Sequence, residues 1–356
     1  LPTLPAKSVQ CVVTSPPYWG LRSYGFKKDD PARNKMIGME PTFERHLWNI
    51  VRVFREVRRV LRDDGTLWLN YGDSYEGGGR GGNPAESNHR KQATNVGSLE
   101  PRSPSTGLAA KHLIGMAWRV AFALQADGWI LRSDIIWAKR SPMPESVTDR
   151  PTKAHEFVFL FSKSPRYFYD AFAVREKSEW QPGEREDVPR GGFNGKHDQA
   201  DWHPGSFRAI RASRNMRSVW TLSSEPFGGA HFATFPTELV ARCLKAGTSG
   251  NGCCVKCGAP LKRLLQRERR TTRPGLGSKV SLDRENGTVV DRPMKPWDAE
   301  EVGNRDPRRH VTDYEHGGWA PTCECLEAVN HANPPCVVVD PFAGSGTVGA
   351  VCRRMG

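Results

Sequence analysis

The chain has 356 residues, with 52 Lys and Arg against 39 Asp and Glu, a formal net charge of +13, and nine cysteines. This length suffices for one large α/β domain with insertions, and the positive excess favours a polyanionic partner because each neutralised phosphate releases counterions. No stretch approaches the roughly 20 apolar residues of a membrane span, and no signal peptide opens the chain. These features, with mostly single cysteines, predict a soluble, cytoplasmic protein with reduced thiols and no membrane partner.

The first predicted element is a buried parallel strand in the β-branched run from Val9 to Val13. The string Thr14-Ser15-Pro16-Pro17-Tyr18-Trp19 follows it. This string would lie in the loop at the carboxyl edge of the sheet, where open α/β sheets bind ligands. It offers a hydroxyl, a rigid pair of backbone carbonyls and a flat ring, although alone it would most simply be a rigid turn.

A helix from about residue 43 is predicted by apolar residues that recur every three and four positions. Those residues are Leu47, Ile50, Val51, Phe54, Val57, Val60 and Leu61. The opposite face is basic and carries Arg45, Arg52, Arg55, Arg58, Arg59 and Arg62. Such a face is usually only solvated, and contact with phosphate is the alternative. A turn at Asp63-Asp64-Gly65 then leads into a strand from Thr66 to Asn70, which gives a β-α-β crossover.

Residues 72–106 have almost no apolar content, so they predict a mobile loop that either closes on DNA or is a simple disordered insertion. A second helix is predicted at about 108–126. It leads into a strand from Trp129 to Trp137, and a further strand, Phe157 to Phe161, would pair with that strand.

From about 165 to 225 the periodicity fades and Arg, Gly, Trp and His accumulate. Order returns at Phe235-Pro236, where a proline is expected in the first turn of a helix that runs to about Gly247.

Four cysteines suggest a structural zinc site in the next segment. Cys254 and Cys257 form a C-x-x-C-G turn, and Cys323 and Cys325 form a second pair that could complete a tetrahedral shell. The basic segment between the pairs is poor in apolar residues, so a metal would supply stability that a core cannot. Cys253 competes with Cys254 as a ligand, and unmetallated thiols in a flexible loop are the alternative to zinc.

A second β-branched run, Val337 to Val339, predicts another buried strand, followed by Asp340-Pro341-Phe342-Ala343-Gly344-Ser345-Gly346-Thr347. Its glycines let backbone N–H groups and a helix N-terminus approach a polar cofactor. Neither a G-K-[ST] ending nor a G-x-G-x-x-G spacing occurs at 344–349. Together the two strand-end strings indicate a site that transfers a group to a flat, amine-bearing base.

The order of these strings resembles that of circularly permuted, beta-class DNA amino-methyltransferases, in which S-P-P-Y precedes D-P-F-x-G-x-G-T. Further matching strings are Trp137-Ala138-Lys139, Asp149-Arg150, His155-Glu156, Lys163-Ser164 and His231 to Pro236. The resemblance implies a Rossmann-like α/β fold with a mostly parallel sheet, S-adenosylmethionine as cofactor and double-stranded DNA as substrate. It also implies a restriction-modification setting, in which a cognate endonuclease could act on the same site without direct contact.

The target amine would donate hydrogen bonds to Ser15 Oγ and the Pro16 carbonyl, beside Pro17, while Tyr18 would stack on the flipped base. The resemblance implies a cofactor site at Phe235, Pro236, Asp340, Pro341, Phe342, Gly344, Ser345, Gly346 and Thr347.

The implied organisation has five segments. They are a catalytic part (1–164), a target-recognition region (165–225), a cofactor-side helix (226–247), an inserted zinc lobe (248–330) and the cofactor strand with its glycine loop (331–356). The chain lacks an initiator Met and stops at Gly356. We therefore expect that both ends are cut and that the residues contacting the cofactor's adenine and ribose lie outside the chain.

Three alternatives concern the chemistry. In the methyltransferases that the chain resembles, serine rather than aspartate before Pro-Pro-Tyr favours cytosine N4 as the target, with adenine N6 as the alternative. Methylation of a ring carbon needs a cysteine nucleophile, and Pro335-Cys336 supplies that dipeptide, but its position in an apolar run predicts a core residue. A catalytically inactive, DNA-binding module is the third reading, and intact Ser15, Tyr18, Gly344 and Gly346 argue against it.

Overall fold

The computed structural model describes residues 1–20, 36–76, 106–142, 144–177, 213–225, 235–271, 278–282, 289–293, 310–325 and 333–356. Most of the predicted loop at 72–106 and of the 165–225 region, together with residues 231–234, lies outside these ranges. None of the described helices is long and apolar enough to cross a membrane.

Two compact units divide the chain. One comprises Leu1–Val174, Arg217–Lys262 and Trp319–Gly356, and the other comprises Arg175–Met216 and Arg263–Gly318. In chain order the elements are β1 (Val9–Thr14), α1 (Phe43–Val60), β2 (Leu61–Tyr71), α2 (Met116–Ala126), β3 (Ile130–Lys139), β4 (His155–Ser162), β5 (Glu176–Lys177), β6 (Ser213–Arg214), β7 (Val219–Leu222), α3 (Thr237–Gly247), β8 (Lys262–Thr271), β9 (Ser278–Leu282), β10 (Val289–Pro293), β11 (His310–Ala320), β12 (Val338–Val339) and α4 (Thr347–Met355). The five-segment organisation stays a prediction.

The main sheet of the described chain has the strand order β12-β1-β2-β4-β3-β7. β1 runs parallel to both β12 and β2, and β3 runs parallel to β7. Only β4, among these strands, is antiparallel to its neighbours β2 and β3. The predicted α/β fold with a mostly parallel sheet and the predicted pairing of β3 with β4 are therefore confirmed.

The main core cluster lies among α1, α2 and the strands β1, β2 and β4. All six residues of β1 are buried, as expected for a strand with neighbours on both sides. The predicted apolar stripe of α1 places Ile50, Phe54, Val57 and Val60 in the same core cluster as Val9 and Val12 of β1. The Thr42 hydroxyl caps α1 by accepting a hydrogen bond from the Arg45 backbone N–H.

The basic face of α1 is largely engaged within the protein. Arg55 pairs with Asp127. Arg62, which was predicted on this face, lies in β2 and pairs with Asp64. Arg59 donates to the backbone carbonyls of Leu1 and Leu4. These contacts favour a structural role for this face over the phosphate-binding alternative.

Several predicted boundaries differ from the structure. β2 begins at Leu61, so the predicted turn at Asp63-Asp64-Gly65 lies within that strand. The second helix begins at Met116 and not near residue 108, because Leu113 forms a β-bridge with Tyr75 and Lys111 has a left-handed φ of 72°. The run at 337–339 is not a buried strand. Val337 is 46% exposed, and β12 is only half-buried because it pairs with β1 alone at the edge of the described sheet.

Two short antiparallel ribbons lie among the described strands of the second unit. β5 pairs with β6, and β9 pairs with β10. β8 and β11, which both extend into the first unit by a residue or two, also form a two-stranded sheet.

The last residue of α3 approaches the sheet closely enough to give a stability test. A Cβ at Gly247 would lie 2.7 Å from Thr66 Oγ1 and 2.8 Å from Cys11 Sγ. We expect Gly247→Ala to lower the free energy of unfolding by about 1–3 kcal/mol, the usual cost of overpacking a buried contact. The measurement is unfolding in urea.

Gly349→Ala is the matched control, because the same added atom inside α4 meets nothing within 4 Å. The control should stabilise the protein by about 0.5–1 kcal/mol. Equal shifts in both variants would contradict this close packing.

Candidate active site

The two strand-end loops are joined by a side-chain hydrogen bond. Thr14, the last residue of β1, donates from Oγ1 to Asp340 Oδ1 at 2.5 Å, and the Phe342 N–H donates to the same oxygen at 3.0 Å. Burial raises the pKa of Asp340, and these two hydrogen bonds act in the opposite direction. The predicted base-side and cofactor-side loops therefore lie next to each other at one edge of the sheet.

Ser15 and Tyr18 belong to a polar cluster at this edge. Ser15 Oγ lies 3.3 Å from the Tyr18 hydroxyl. That hydroxyl donates to Glu156 Oε2 at 2.7 Å and lies 3.0 Å from Asn70 Oδ1. Lys139 Nζ contacts the other Glu156 oxygen at 2.6 Å.

Three strands supply the cluster around Ser15 and Tyr18. Asn70 and Lys139 stand at the carboxyl ends of β2 and β3, whereas Glu156 stands at the start of β4. Because β4 is antiparallel, its amino end meets the carboxyl ends of its neighbours. The strings that resemble the family included Lys139 and Glu156, but no role was predicted for either residue. Asn70 was not predicted as a site residue. The sequence did hold an indication for Glu156, because this carboxylate directly precedes a predicted apolar strand and so lies at an edge of the sheet.

A second, fully buried network lies behind Tyr18. The Tyr18 ring packs on Tyr71 with a centroid separation of 4.6 Å. Tyr71 Oη lies 2.8 Å from His46 Nε2, and His46 Nδ1 lies 2.8 Å from Glu40 Oε2. Burial opposes ionisation of Glu40, but the hydrogen bond and charge of His46 outweigh it and lower the pKa of Glu40.

This buried network holds the residue after Tyr18. The Trp19 backbone N–H donates to Tyr71 Oη at 3.2 Å, and its indole N–H donates to the Glu40 carbonyl at 3.0 Å. Glu40, His46 and Tyr71 are each at most 1% exposed. The network therefore fixes the loop from behind, and sequence reasoning missed it because its members are polar residues spread over three segments.

The glycine loop leads directly into α4. Gly344 and Gly346 have φ values of 53° and 76°, which only glycine adopts without strain. A Cβ at Gly346 would meet nothing within 4 Å, so the backbone here is open to an approaching group. The first N–H groups of a helix have no partner within the helix, so they suit a polar or anionic ligand. Ser345 and Thr347 lie in this loop, and their hydroxyls are 3.0 Å apart.

Phe235 and Pro236 precede α3 and are both buried. Pro236 is the residue before the helix and not part of its first turn, which starts at Thr237. α3 packs against β1, β2 and α4, so it supports the strands and the helix that carry the two loops. Pro341 lies in the glycine loop, and the Phe342 ring packs near Phe54 of the core.

The four predicted metal ligands converge. The sulfur atoms of Cys254, Cys257, Cys323 and Cys325 lie within 4.8 Å of one another. Burial opposes ionisation of Cys254, but the backbone N–H groups of Cys257 and Lys256 lower its pKa to about 7. Zinc at about 2.3 Å from each thiolate holds them about 3.8 Å apart, so this donor set fits that ion with little movement.

Cys253 faces away from this cluster. Its sulfur lies 2.9 Å from Cys336 Sγ, and its N–H donates to the Pro334 carbonyl. Cys336 is half-buried, which corrects the expectation of a core residue. It precedes β12 and so lies at the amino end of that strand, opposite the Asp340 edge. This position does not suit a nucleophile for ring-carbon methylation.

Most of the chain is similar in sequence to known proteins. The DNA methylase family (N6_N4_Mtase) matches residues 9–255. Type II methyltransferase M.Cfr9I of Citrobacter freundii is 46% identical over 245 residues, which are 69% of this chain and 68% of that protein. Type II methyltransferase M.SmaI of Serratia marcescens is 41% identical over 249 residues, or 70% of this chain and 72% of that protein.

A solved structure, PvuII DNA methyltransferase (cytosine-N4-specific), is 14% identical with a TM-score of 0.40, covering 70% of this chain and 67% of its own. The family match spans well over half of the chain. The chain therefore belongs to the DNA methylase family of N6 and N4 methyltransferases.

The buried network behind Tyr18 generates a prediction. His46→Leu should lower the free energy of unfolding at pH 7 by about 3–5 kcal/mol, because it removes the histidine that pairs with the buried Glu40 carboxylate and leaves that carboxylate only its hydrogen bonds from Gly38 and Asn49. Because folding lowers the pKa of Glu40, this contribution is complete above the unfolded value and is lost as pH falls below about 4.3. The difference from wild type, measured by urea unfolding, should therefore shrink at acid pH.

Asp149→Asn serves as the control, since it breaks the exposed Lys111–Asp149 pair and should change stability little. A His46→Leu protein as stable as the wild type at pH 7 would show that the Glu40–His46 contact does not contribute to the free energy of unfolding.

Proposed function

We propose that this protein transfers a methyl group from S-adenosylmethionine to the exocyclic amine of a base flipped out of double-stranded DNA. Cytosine N4 is the favoured target, and adenine N6 is the alternative. The observation that carries the proposal is the Thr14–Asp340 hydrogen bond, which sets the Ser15–Tyr18 loop beside the glycine loop. Family membership supports the same chemistry.

The base side of the site suits a weak nucleophile. The lone pair of an exocyclic amine is delocalised into the ring, so the nitrogen must be drawn toward a tetrahedral geometry before it can attack. Ser15 Oγ and the Pro16 carbonyl are the proposed acceptors for its two N–H groups. The Tyr18 ring, held on Tyr71 by packing, is the proposed stacking surface for the flipped base. Positioning then supplies most of the rate.

The glycine loop and the start of α4 are the proposed cofactor site. When bound, S-adenosylmethionine supplies an electrophilic methyl carbon on a sulfonium. Open backbone at Gly346, the α4 N-terminus and the half-buried Asp340 side chain fit a polar group with both donors and acceptors. Phe342, Ser345 and Thr347 line the same loop, and Phe235 with Pro236 support it through α3.

Duplex DNA as substrate is supported by the net charge of +13 and by relatives that are named type II methyltransferases. Those names also support a restriction-modification setting, in which a cognate endonuclease cuts the same DNA site without contacting this protein. We keep residues 165–225 as the proposed target-recognition region.

A structural zinc ion held by Cys254, Cys257, Cys323 and Cys325 is the second part of the proposal. The convergence of the four thiols supports it, as does the contact of Cys253 with Cys336, which leaves Cys254 to the cluster. Four thiolates would complete a tetrahedral shell, so the role is structural.

Methyl transfer is tested with DNA and methyl-labelled S-adenosylmethionine, followed by mass spectrometry of the nucleosides. Wild type should produce N4-methylcytosine. Ser15→Ala should slow transfer by about 100-fold or more with cofactor affinity nearly unchanged, because one preorganised contact to the amine is lost.

Ser8→Ala, just before β1 at its other end, should keep the wild-type rate. N6-methyladenine as the product would select the alternative target. Wild-type turnover in Ser15→Ala would rule out the proposed base site.

Elemental analysis tests the zinc site. Protein purified under reducing conditions should hold about one zinc per chain, since four thiolates satisfy one tetrahedral ion. Cys254→Ser should lose the metal, and residues 250–326 should then be cleaved faster by protease. Cys253→Ser is the matched control and should keep the metal. Wild-type protein that is purified without metal and takes up no zinc would contradict the zinc site. The methyl-transfer proposal would be unaffected.

A further inference from the structure

A carboxylate outside the two strand-end loops contacts the Ser15–Tyr18 segment. Glu156 accepts a hydrogen bond from the Tyr18 hydroxyl at 2.7 Å and pairs with Lys139 at 2.6 Å. Its side chain is 17% exposed, so it is largely shielded while keeping a route to water. Glu156 reaches this edge because β4 alone, among the described strands of the main sheet, runs in the opposite direction.

The hydrogen bonds in this cluster have a direction. Ser15 Oγ donates to the Tyr18 oxygen at 3.3 Å, and Tyr18 donates its own proton to Glu156. The Asn70 amide donates to Glu156 Oε2 and to the Phe157 carbonyl, which orients its oxygen toward Tyr18. Burial and the charge of Glu156 raise the pKa of Tyr18 well above its usual value, so the phenol keeps its proton at neutral pH.

Methylation of an amine releases a proton. As the N–C bond forms, the nitrogen acquires positive charge and must lose one hydrogen to regenerate a neutral base. A nearby carboxylate is a suitable acceptor, provided that it lies in hydrogen-bond reach of the donor directly or through a relay. Ser15, the proposed partner of the amine, is the first member of such a relay.

We propose that Glu156 is the terminal acceptor of the amine proton, which reaches it through Ser15 and Tyr18. As the sulfonium C–S bond breaks and the N–C bond forms, the amine proton moves to Ser15 Oγ. The Ser15 proton moves to the Tyr18 oxygen, and the Tyr18 proton moves to Glu156. The products are a methylated base, a neutral thioether and a neutral glutamic acid, so the sulfonium and carboxylate charges cancel. This inference rests on the proposed methyl transfer.

Three cationic or titratable neighbours bear on Glu156 besides Tyr18. Lys139 pairs with it, and Lys153 and His155 interact with it electrostatically. The Lys139 ammonium lies 2.6 Å from Glu156 Oε1 and fixes the position of the carboxylate beside Tyr18. A proton acceptor also predicts a pH-dependent rate, which gives the test a readout that a purely structural role would not move.

The test compares single-turnover methyl transfer at saturating cofactor and DNA over a range of pH. Glu156→Gln should slow transfer by about 100-fold, with KM for the cofactor unchanged. The wild-type rate should fall toward acid pH as Glu156 becomes protonated, and this acid limb should vanish in Glu156→Gln.

Two further variants separate a relay from a folding effect. Glu156→Asp keeps a carboxylate and should retain the acid limb even if transfer is slower. Tyr18→Phe combined with Glu156→Gln should be no slower than the slower single variant, because members of one relay act as a unit. Glu56→Gln, which removes an exposed carboxylate paired with Arg59 on α1, is the control and should behave like wild type.

An active wild type with an unchanged acid limb in Glu156→Gln would overturn the relay and leave the proposed function standing. A wild type that transfers no methyl group to DNA would overturn both.

Discussion

The hydrogen bond between Thr14 and Asp340 is the contact on which the rest of the site depends. It joins residues 326 positions apart, and it is possible only because β1 and β12 are parallel neighbours in a register that pairs Cys11 with Val338. That register ends both strands at one edge, so the loop that offers a hydroxyl and the loop that offers open backbone face the same space. Shifting either strand by one residue would turn these side chains to opposite faces.

The antiparallel β4 adds what two parallel strand ends cannot supply. It brings a carboxylate, Glu156, against the Tyr18 hydroxyl, and the neighbouring strands contribute Lys139 and Asn70. Behind this polar edge, the buried Glu40–His46–Tyr71 network fixes the loop at Trp19. Rigid support of this kind lets a site work by positioning, the main demand of a methyl transfer to a weak nucleophile.

The sequence predicted the parts of this fold that depend on local pattern. The buried β1 and the apolar stripe of α1 follow from period and length alone. The pairing of β3 with β4 agrees with the tendency of consecutive strands to be neighbours. The start of α2 was wrong because a bridge between Tyr75 and Leu113 competes with helix, a tertiary effect. The partners of Tyr18 could not be predicted, since Asn70 and Glu156 meet only through an antiparallel pairing whose register no local signal specifies.

A double-mutant cycle on Thr14 and Asp340 tests most directly whether the two loops form one site. The rate of methyl transfer to DNA would be measured for Thr14→Val, Asp340→Ala and the double variant. If the contact joins the loops, each single change should slow transfer. The loss of activation free energy in the double variant should then be smaller than the sum of the two single losses by about 1 kcal/mol or more. Strictly additive losses would contradict a shared site.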